Sequence, residues 1–212
     1  KYNMMLYNTG RWRNIMFKEK EVRILEIDEA HFINKILNIG AIKQGEFFQR
    51  RYVYDFNPIN PNKWIRLRTN GNKTTLTIKE IKDRYAIDGT EELEVEVDDF
   101  DNTNFILNQL GYKARNYQEN YRKVFVLDNT EISIDSWPLI PTYVEIEGKN
   151  NNDVINTLTK IGYSLTDVTT LDVESIYREI YGINIKEIKE LKFGDDSYES
   201  MLEYNKQMQQ KL

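Results

Sequence analysis

The 212-residue sequence contains no cysteine, and His31 is its only histidine. Disulfide bonds and thiolate metal sites are therefore excluded, and a reducing, cytoplasmic setting is compatible with the composition. A single histidine cannot by itself build an imidazole metal site or a Ser-His-Asp triad. Any catalysis must then depend on carboxylates, Lys, Arg, Tyr and a hard metal ion.

Long apolar runs and a strong excess of one charge are also missing. No stretch approaches the roughly 18–20 apolar residues of a membrane-spanning helix, and residues 1–17 lack the pattern of a secretory signal. The 29 basic and 34 acidic side chains give a net charge of −5, so no overall field draws the protein onto nucleic acid or an anionic membrane. We expect a soluble, cytoplasmic protein in which any anion binding is local.

What is present indicates a folded chain of one main domain. A hydrophobic fraction of 40% with only 4 Pro argues against disorder, and the length suits a single core with appendages. We predict an N-terminal extension of unknown role at residues 1–17, the main domain at 18–184 and a charged helical tail at 185–212.

Strands and helices alternate in groups along the main domain. Short alternating segments separated by Asn, Pro and Gly clusters predict antiparallel strands, among them FFQRRYVYDF, WIRLRT, TTLTIKEI, ELEVEV and TYVEIEG. Helices are predicted at 29–38, 101–110, 152–161 and 173–181, each followed by a glycine that ends it. The fold class is therefore α+β.

The predicted strands separate charged from apolar side chains, because residues two apart share one face of a strand. The polar faces hold Glu19, Glu21 and Arg23; Arg66 and Arg68; Thr75, Thr77 and Lys79; Glu92, Glu94 and Glu96; Glu131, Ser133 and Asp135; and Tyr143, Glu145 and Glu147. For any single strand, an outer face in water explains such alternation. Exposure to water explains less well the strand faces whose charges all have one sign. Rows of like charge cost stability unless opposite charge lies between them.

A closed sheet with its charged faces inward would remove that cost. A polyanion would lie against the Arg and Lys rows and a divalent cation against the Glu rows. We therefore predict a closed antiparallel β-barrel, a tunnel of about eight strands, with a polar charged bore and helices packed outside. Carboxylates suit Mg²⁺ or Mn²⁺, and Arg matches phosphate oxygens in a bidentate manner, so the expected ligand is a metal triphosphate.

Several motifs resemble those of the CYTH (triphosphate tunnel) superfamily. EKEVRILEID resembles its E-x-E-x-K opening strand, with Arg23 in place of Lys, and WIRLRT, TLTIKE and TYVEIEG resemble its later strands. The resemblance runs from about Glu19 to Tyr181 and implies a metal-dependent enzyme that acts on triphosphates.

The resemblance also implies roles for individual residues. The implied substrate-binding residues are Arg23, Arg66, Arg68, Lys79 and Arg122. The implied metal-binding carboxylates are Glu19, Glu21, Glu145 and Glu147, with Glu94, Glu96 and Asp135 also facing the bore. The implied catalytic set is Arg23, Lys79, Arg122 and Asp135, with Mg²⁺ or Mn²⁺ as cofactor.

The order of Arg122, Asp135 and the late E-x-E strand resembles that of the class IV adenylate cyclase branch. By analogy with that branch, this protein could form a homodimer. In this sequence Asn120 replaces the Lys of the branch's K-x-R pair, which removes a positive charge near the phosphates. A hydrolase of thiamine, inorganic or nucleoside triphosphates and a non-catalytic triphosphate binder therefore stay open. Of the neighbours Arg50 and Arg51, at most one can point into the bore.

Aromatic residues near these strands are candidates for stacking on a base. They are Tyr117, Tyr121, Trp137 and Tyr143. Such stacking is typical of nucleotide binding, but ordinary packing in the barrel and against the helices is the favoured interpretation for each of them.

Overall fold

The computed structural model describes residues 16–194, which form one strongly curled antiparallel sheet with helices on its outer side. The strands are β1 Phe17–Lys18, β2 Glu21–Ile24, β3 Ile42–Asp55, β4 Lys63–Thr69, β5 Thr74–Ile81, β6 Thr90–Val97, β7 Ala114–Leu127, β8 Thr130–Ser136, β9 Tyr143–Gly148 and β10 Glu190–Leu191. The helices are α1 Glu29–Asn38, α2 Phe100–Gln109, α3 Asn151–Lys160 and α4 Val173–Ser175, which continues as a π-helical turn at Ile176–Ile180.

Nine of these strands lie side by side in the order β1-β6-β5-β4-β3-β7-β8-β9-β2, and β10 adds to β7 in parallel. The two outermost strands, β1 and β2, are neighbours in the chain, separated only by Glu19 and Lys20. Between them the N–H of Glu19 donates to the carbonyl of Thr90 at 2.9 Å. The α+β class and the antiparallel sheet are confirmed. Full closure is not shown, because residues 17–24 run from one edge to the other without a β1–β2 ladder.

The helices begin where polar side chains cap their first free N–H groups. Asp28 accepts from the N–H of His31 at 2.9 Å and Asp99 from that of Asn102 at 2.6 Å. Behind α1, Gly40 adopts a φ of +96°, which glycine tolerates without steric cost. α1 has the predicted bounds, and α2 and α3 each begin and end one residue earlier than predicted.

The apolar faces of the strands point outward and pack under the helices. On the β2–β9–β8 side, Ile146 and Ile132 are buried together with Ile36 of α1 and Leu158 of α3. On the other side, the apolar faces of β3 and β4 pack against α2. Because burial of these faces removes apolar area from water, the charged faces are left on the concave side of the sheet.

The structure describes the predicted N-terminal extension and C-terminal tail only in part. Predictions for residues 1–15 and 195–212 lie outside the described residues. Within the described part of the predicted tail, Ile185–Glu187 forms a 3₁₀ turn and Glu190–Leu191 pairs with Tyr117 and Gln118 of β7. None of the helices between residues 16 and 194 has the length and apolar character needed to cross a membrane.

Candidate functional site

The concave side of the sheet encloses a cavity of about 580 Å³ with a strongly polar lining. The structure brings most of the predicted site residues to this cavity: Glu19, Glu21, Arg23, Arg66, Arg68, Lys79, Glu94, Arg122, Glu145 and Glu147. Asp135 and Glu96 are not among its lining residues. Asp135 is fully buried beside Arg122, whereas the carboxylate of Glu96 lies 3.4 Å from the ammonium group of Lys73 in an exposed pair.

Three carboxylates form a row across one wall of the cavity. Glu131, Glu147 and Glu21 occupy directly paired positions on β8, β9 and β2. Burial, followed by repulsion from Glu145 and Glu19, raises the pKa of Glu21 to about 7. Loss of hydration and repulsion from Glu21 and Glu145 raise the pKa of Glu147 to about 8. Because Glu147 is exposed to solvent, repulsion explains its raised pKa better than burial does. A cation placed in the row would relieve this repulsion.

Beside this row, two predicted phosphate-binding cations are engaged with carboxylates. Arg23 donates to Glu21 at 2.6 Å and to Glu145 at 2.7 Å. Lys79 donates to both carboxylate oxygens of Glu19, at 2.6 and 2.8 Å. The charges of Arg23 and Lys79 are thus balanced by residues for which the resemblance implied metal binding. Glu92, which the site prediction omitted, also lines the cavity and lies 3.5 Å from Lys79.

Arg122 is held in a fixed orientation by Asp135. Its Nε donates to Oδ1 of Asp135 at 2.9 Å and its Nη2 to Oδ2 at 2.6 Å, and Nη2 also donates to Glu145 at 3.1 Å. Such two-point pairing fixes the plane of the guanidinium group. Asp135 therefore acts on the cavity through Arg122 and does not line it.

The opposite wall carries arginines that are poorly balanced. Arg66 and Arg68 of β4 share Glu94, at 3.4 and 3.9 Å, and Glu92 lies 3.9 Å from Arg66. Burial, and then repulsion from Arg66 and Arg122, lowers the pKa of Arg68 to about 10. The Nε of Arg66 is buried without a hydrogen-bond acceptor in the described residues. Buried donors and unbalanced positive charge at one place are the features of an anion-binding site.

Arg51 is a second cavity residue that the site prediction did not include. It occupies the position on β3 that pairs with Arg68, is 6% exposed and lines the cavity. Arg50 points to the outer side, with its guanidinium carbon 5.0 Å from the ring centre of Phe100. Alternation predicted that only one of the two faces inward. The pairing with Arg68, which had already been assigned to the bore, would have identified which one.

Two of the four candidate aromatic residues line the cavity. They are Trp137 and Tyr143, whose indole N–H and hydroxyl are buried without partners in the described residues. The guanidinium carbon of Arg51 lies 4.5 Å from the ring centre of Trp137. Tyr117 and Tyr121 do not line the cavity and pack against Tyr52 and Phe48. One side of the Trp137 ring is therefore occupied by a cation of the protein itself.

The donor chemistry of the cavity fits a hard divalent cation. Glu21 and Glu147 offer carboxylate oxygens at paired positions, and burial together with repulsion from neighbouring carboxylates raises the pKa of both. Mg²⁺ and Mn²⁺ take such oxygen ligands. Among residues 16–194, no three carboxylate or imidazole groups are already arranged around one point.

Comparison with known proteins agrees with this architecture. The family model of the CYTH domain matches residues 18–189, whereas no curated protein matches the sequence. The PH1012 protein of Pyrococcus horikoshii is 23% identical, with a TM-score of 0.62 over 72% of this chain and 94% of that one. A Vibrio parahaemolyticus protein described as a candidate adenylate cyclase is 13% identical, with a TM-score of 0.61 over 88% of this chain and 98% of that one.

A third solved structure shares the fold and carries a different description. It is a Hippeastrum protein, described as a candidate adenylyl cyclase with a dominant triphosphatase activity. It is 14% identical to this chain, with a TM-score of 0.51 over 81% of this chain and 99% of that one. At such identities the likeness shows the fold alone.

Proposed function

The chain belongs to the CYTH domain family, and from this premise we propose that it binds a triphosphate in its charged cavity and cleaves it with the help of Mg²⁺ or Mn²⁺. The first reaction to test is that of a class IV adenylate cyclase, in which ATP yields cyclic AMP and pyrophosphate. The observation that carries the proposal is the separation of charge within one cavity, with a carboxylate row on β8, β9 and β2 facing arginines on β4 and β7.

The arginines provide the triphosphate clamp. Arg66, Arg68 and Arg122 can donate N–H groups to phosphate oxygens, and Asp135 keeps the guanidinium plane of Arg122 fixed. Charge-assisted donors fixed in advance stabilise the charge that develops on phosphate oxygens during phosphoryl or nucleotidyl transfer. Arg23 and Lys79 can be drawn from their carboxylate partners toward phosphate, or keep those carboxylates oriented.

The carboxylate row would hold the metal. Glu21 and Glu147 are the best placed ligands, with Glu19 and Glu145 beside them. A bound divalent cation would supply neutralisation of phosphate charge and polarisation of the phosphorus–oxygen bonds. The protein's own contribution is to keep these oxygens together in a partly dehydrated cavity, at the cost of mutual repulsion when no ligand is bound.

Hydrolysis of a triphosphate is the second candidate, and one observation favours it. A cyclase must hold the base and ribose so that the 3′-oxygen reaches the α-phosphorus, whereas a hydrolase needs only water at the terminal phosphorus. Trp137 is 2% exposed and Arg51 lies against its ring, which leaves little aromatic surface for a base. The triphosphatase activity described for the Hippeastrum protein of the same fold is consistent with this alternative.

One experiment separates these functions. The protein is incubated with Mg²⁺ or Mn²⁺ and, in parallel reactions, ATP, thiamine triphosphate or inorganic triphosphate, and the products are separated. Cyclic AMP with pyrophosphate supports the cyclase, and orthophosphate without cyclic AMP supports the hydrolase. Tight binding without turnover would make the protein a non-catalytic binder. If the protein neither binds nor turns over any of the three triphosphates, the proposal is refuted.

A further inference from the structure

Arg51 carries a positive charge that no acidic group of the described structure balances directly. Its guanidinium is buried, and its Nη2 donates to the amide oxygens of Gln49, at 3.0 Å, and Asn120. Both acceptors are neutral. Among residues 16–194 no carboxylate lies within ion-pair distance of Arg51, and its buried Nε has no acceptor. A buried charge in this state is costly to the folded protein.

The other charged groups around Arg51 increase that cost. Arg68 is its paired neighbour on β4, and Arg66 and Arg122 add further repulsion. Burial, followed by this repulsion, holds the pKa of Arg51 well below its usual range, and Asp135 opposes the shift only in part. A guanidinium in such surroundings gains stability when an anion enters the cavity.

Asn120 connects Arg51 to the rest of the site. Its amide nitrogen donates to Oδ1 of Asp135 at 2.7 Å, while its amide oxygen accepts from Arg51. Asn120 pairs with Gln49 across β3 and β7, so Arg51, two residues farther along β3, reaches it diagonally. The guanidinium of Arg51 and a longer side chain at position 120 would therefore compete for the same part of the cavity.

We propose that Arg51 binds a phosphate group of the triphosphate and supplies from β3 the positive charge that position 120 on β7 lacks. Asn120 and Trp137 act as positioning residues, Asn120 through its hydrogen bond and Trp137 through its ring at 4.5 Å. This inference rests on the proposed function, because it concerns how the same cavity recognises its ligand. A lysine at position 120 would place a second positive charge directly against Arg51. The neutral Asn120 avoids this repulsion and accepts a hydrogen bond from Arg51 instead.

The test compares binding of inorganic triphosphate, in the presence of Mg²⁺, to four proteins by calorimetry. They are the unmodified chain, R51Q, the control R50Q on the outer face of the same strand, and the double variant R51Q/N120K, which moves the cation from β3 to β7. We expect R51Q to bind about tenfold to a hundredfold more weakly, as loss of one charge-assisted contact implies. R50Q should bind as the unmodified chain does, and the double variant should recover at least half of the loss on a logarithmic scale.

The unfolding temperature of each ligand-free protein distinguishes a ligand contact from a structural one. Because R51Q removes a buried unbalanced charge, its unfolding temperature should be equal to or above that of the unmodified chain. Unchanged affinity in R51Q, a lowered unfolding temperature, or a double variant that binds no better than R51Q would each overturn the inference. If the unmodified chain itself fails to bind inorganic triphosphate, ATP or thiamine triphosphate, the proposed function has failed instead.

Discussion

The two walls of the cavity treat charge in opposite ways. On the acidic wall, formed by β2, β8 and β9, Arg23 lies within hydrogen-bond distance of Glu21 and Glu145. On the basic wall, formed by β3 and β4, the closest carboxylate oxygen to Arg68 is 3.9 Å away, and Arg51 has only amide acceptors. The acidic wall is partly neutralised by the protein, whereas the basic wall retains positive charge for a ligand.

This difference teaches where function costs stability. Charged groups in folded proteins are usually paired or exposed to water, and Arg23 on the acidic wall is paired in this way. On the basic wall, Arg51 has no carboxylate partner and Arg68 has only a distant one. Such guanidinium groups lower the stability of the ligand-free protein and strengthen its attraction for an anion. We therefore expect the largest effects on activity from the basic wall, smaller ones from the acidic wall and the smallest from charges outside the cavity.

Arg66→Ala should have the largest effect. If Arg66 contacts the transferring phosphates in a desolvated cavity, its loss should lower kcat/KM. The expected decrease corresponds to a loss of about 2 to 5 kcal/mol of transition-state stabilisation. Steady-state kinetics with the substrate identified by product analysis measure this change, and Arg50→Ala on the outer face is the matched control. A loss of less than about twofold would place Arg66 in contact with water and would remove the distinction between the two walls.

Glu147→Gln should have the next largest effect, seen mainly in metal dependence. The substitution keeps the shape of the side chain but removes one anionic oxygen ligand, so the concentration of Mg²⁺ or Mn²⁺ needed for half-maximal activity should rise about tenfold or more. Activity is titrated against metal for both proteins, and circular dichroism confirms an intact fold. An unchanged metal titration would remove Glu147 from the metal ligands.

The pH dependence of stability tests the repulsion within the acidic wall. The pKa of Glu21 is raised to about 7, so between about pH 5 and 7 the folded state holds more protons than the unfolded state. The contribution of Glu21 is therefore present at low pH and is lost as pH rises, by up to about 1.4 kcal/mol for each pH unit. Glu147, raised to about 8, acts in the same direction. Glu145, whose pKa lies far below its usual range, acts oppositely only in more acidic solution.

Unfolding by urea at several pH values, with and without Mg²⁺, measures this dependence. The free energy of unfolding of the ligand-free protein should fall from about pH 5 to about pH 8, and Mg²⁺ should stabilise the protein more at the higher pH. Glu21→Gln should flatten the slope. A stability that rises with pH across this range would show that the paired carboxylates do not repel one another.

Much of this arrangement could be predicted from the sequence, because alternation along a strand decides which side chains share a face. Arg66 and Arg68 were placed together in this way, as were Glu145 and Glu147, and Asp28 marked the start of α1. Alternation cannot decide between the neighbours Arg50 and Arg51, because either parity places an arginine inside. That choice depends on the register between β3 and β4, which is set by contacts distant in the sequence.

Ion pairing inside the cavity was beyond sequence analysis for a similar reason. The family resemblance implied that Arg23 binds phosphates and Glu145 binds the metal, but their positions pair across β2 and β9, and they bond to each other. Closure of the barrel was likewise expected from the charged strand faces. The structure shows a strongly curled sheet whose outermost strands, β1 and β2, form no ladder with each other, so full closure is not shown.

Glu96→Gln should have the smallest effect, and it tests where the acidic residues of β6 stop contributing to the site. Glu94 contacts Thr77 at 2.8 Å inside the cavity, whereas the side chain of Glu96 is 65% exposed and pairs with the exposed Lys73. Exposed ion pairs contribute about 0 to 1 kcal/mol, so metal titration and kcat/KM should change by less than about twofold. Glu94→Gln, which loosens Arg66, should lower kcat/KM more. Equal losses in the two variants would mean that the cavity extends along β6 to Glu96 when ligand is bound.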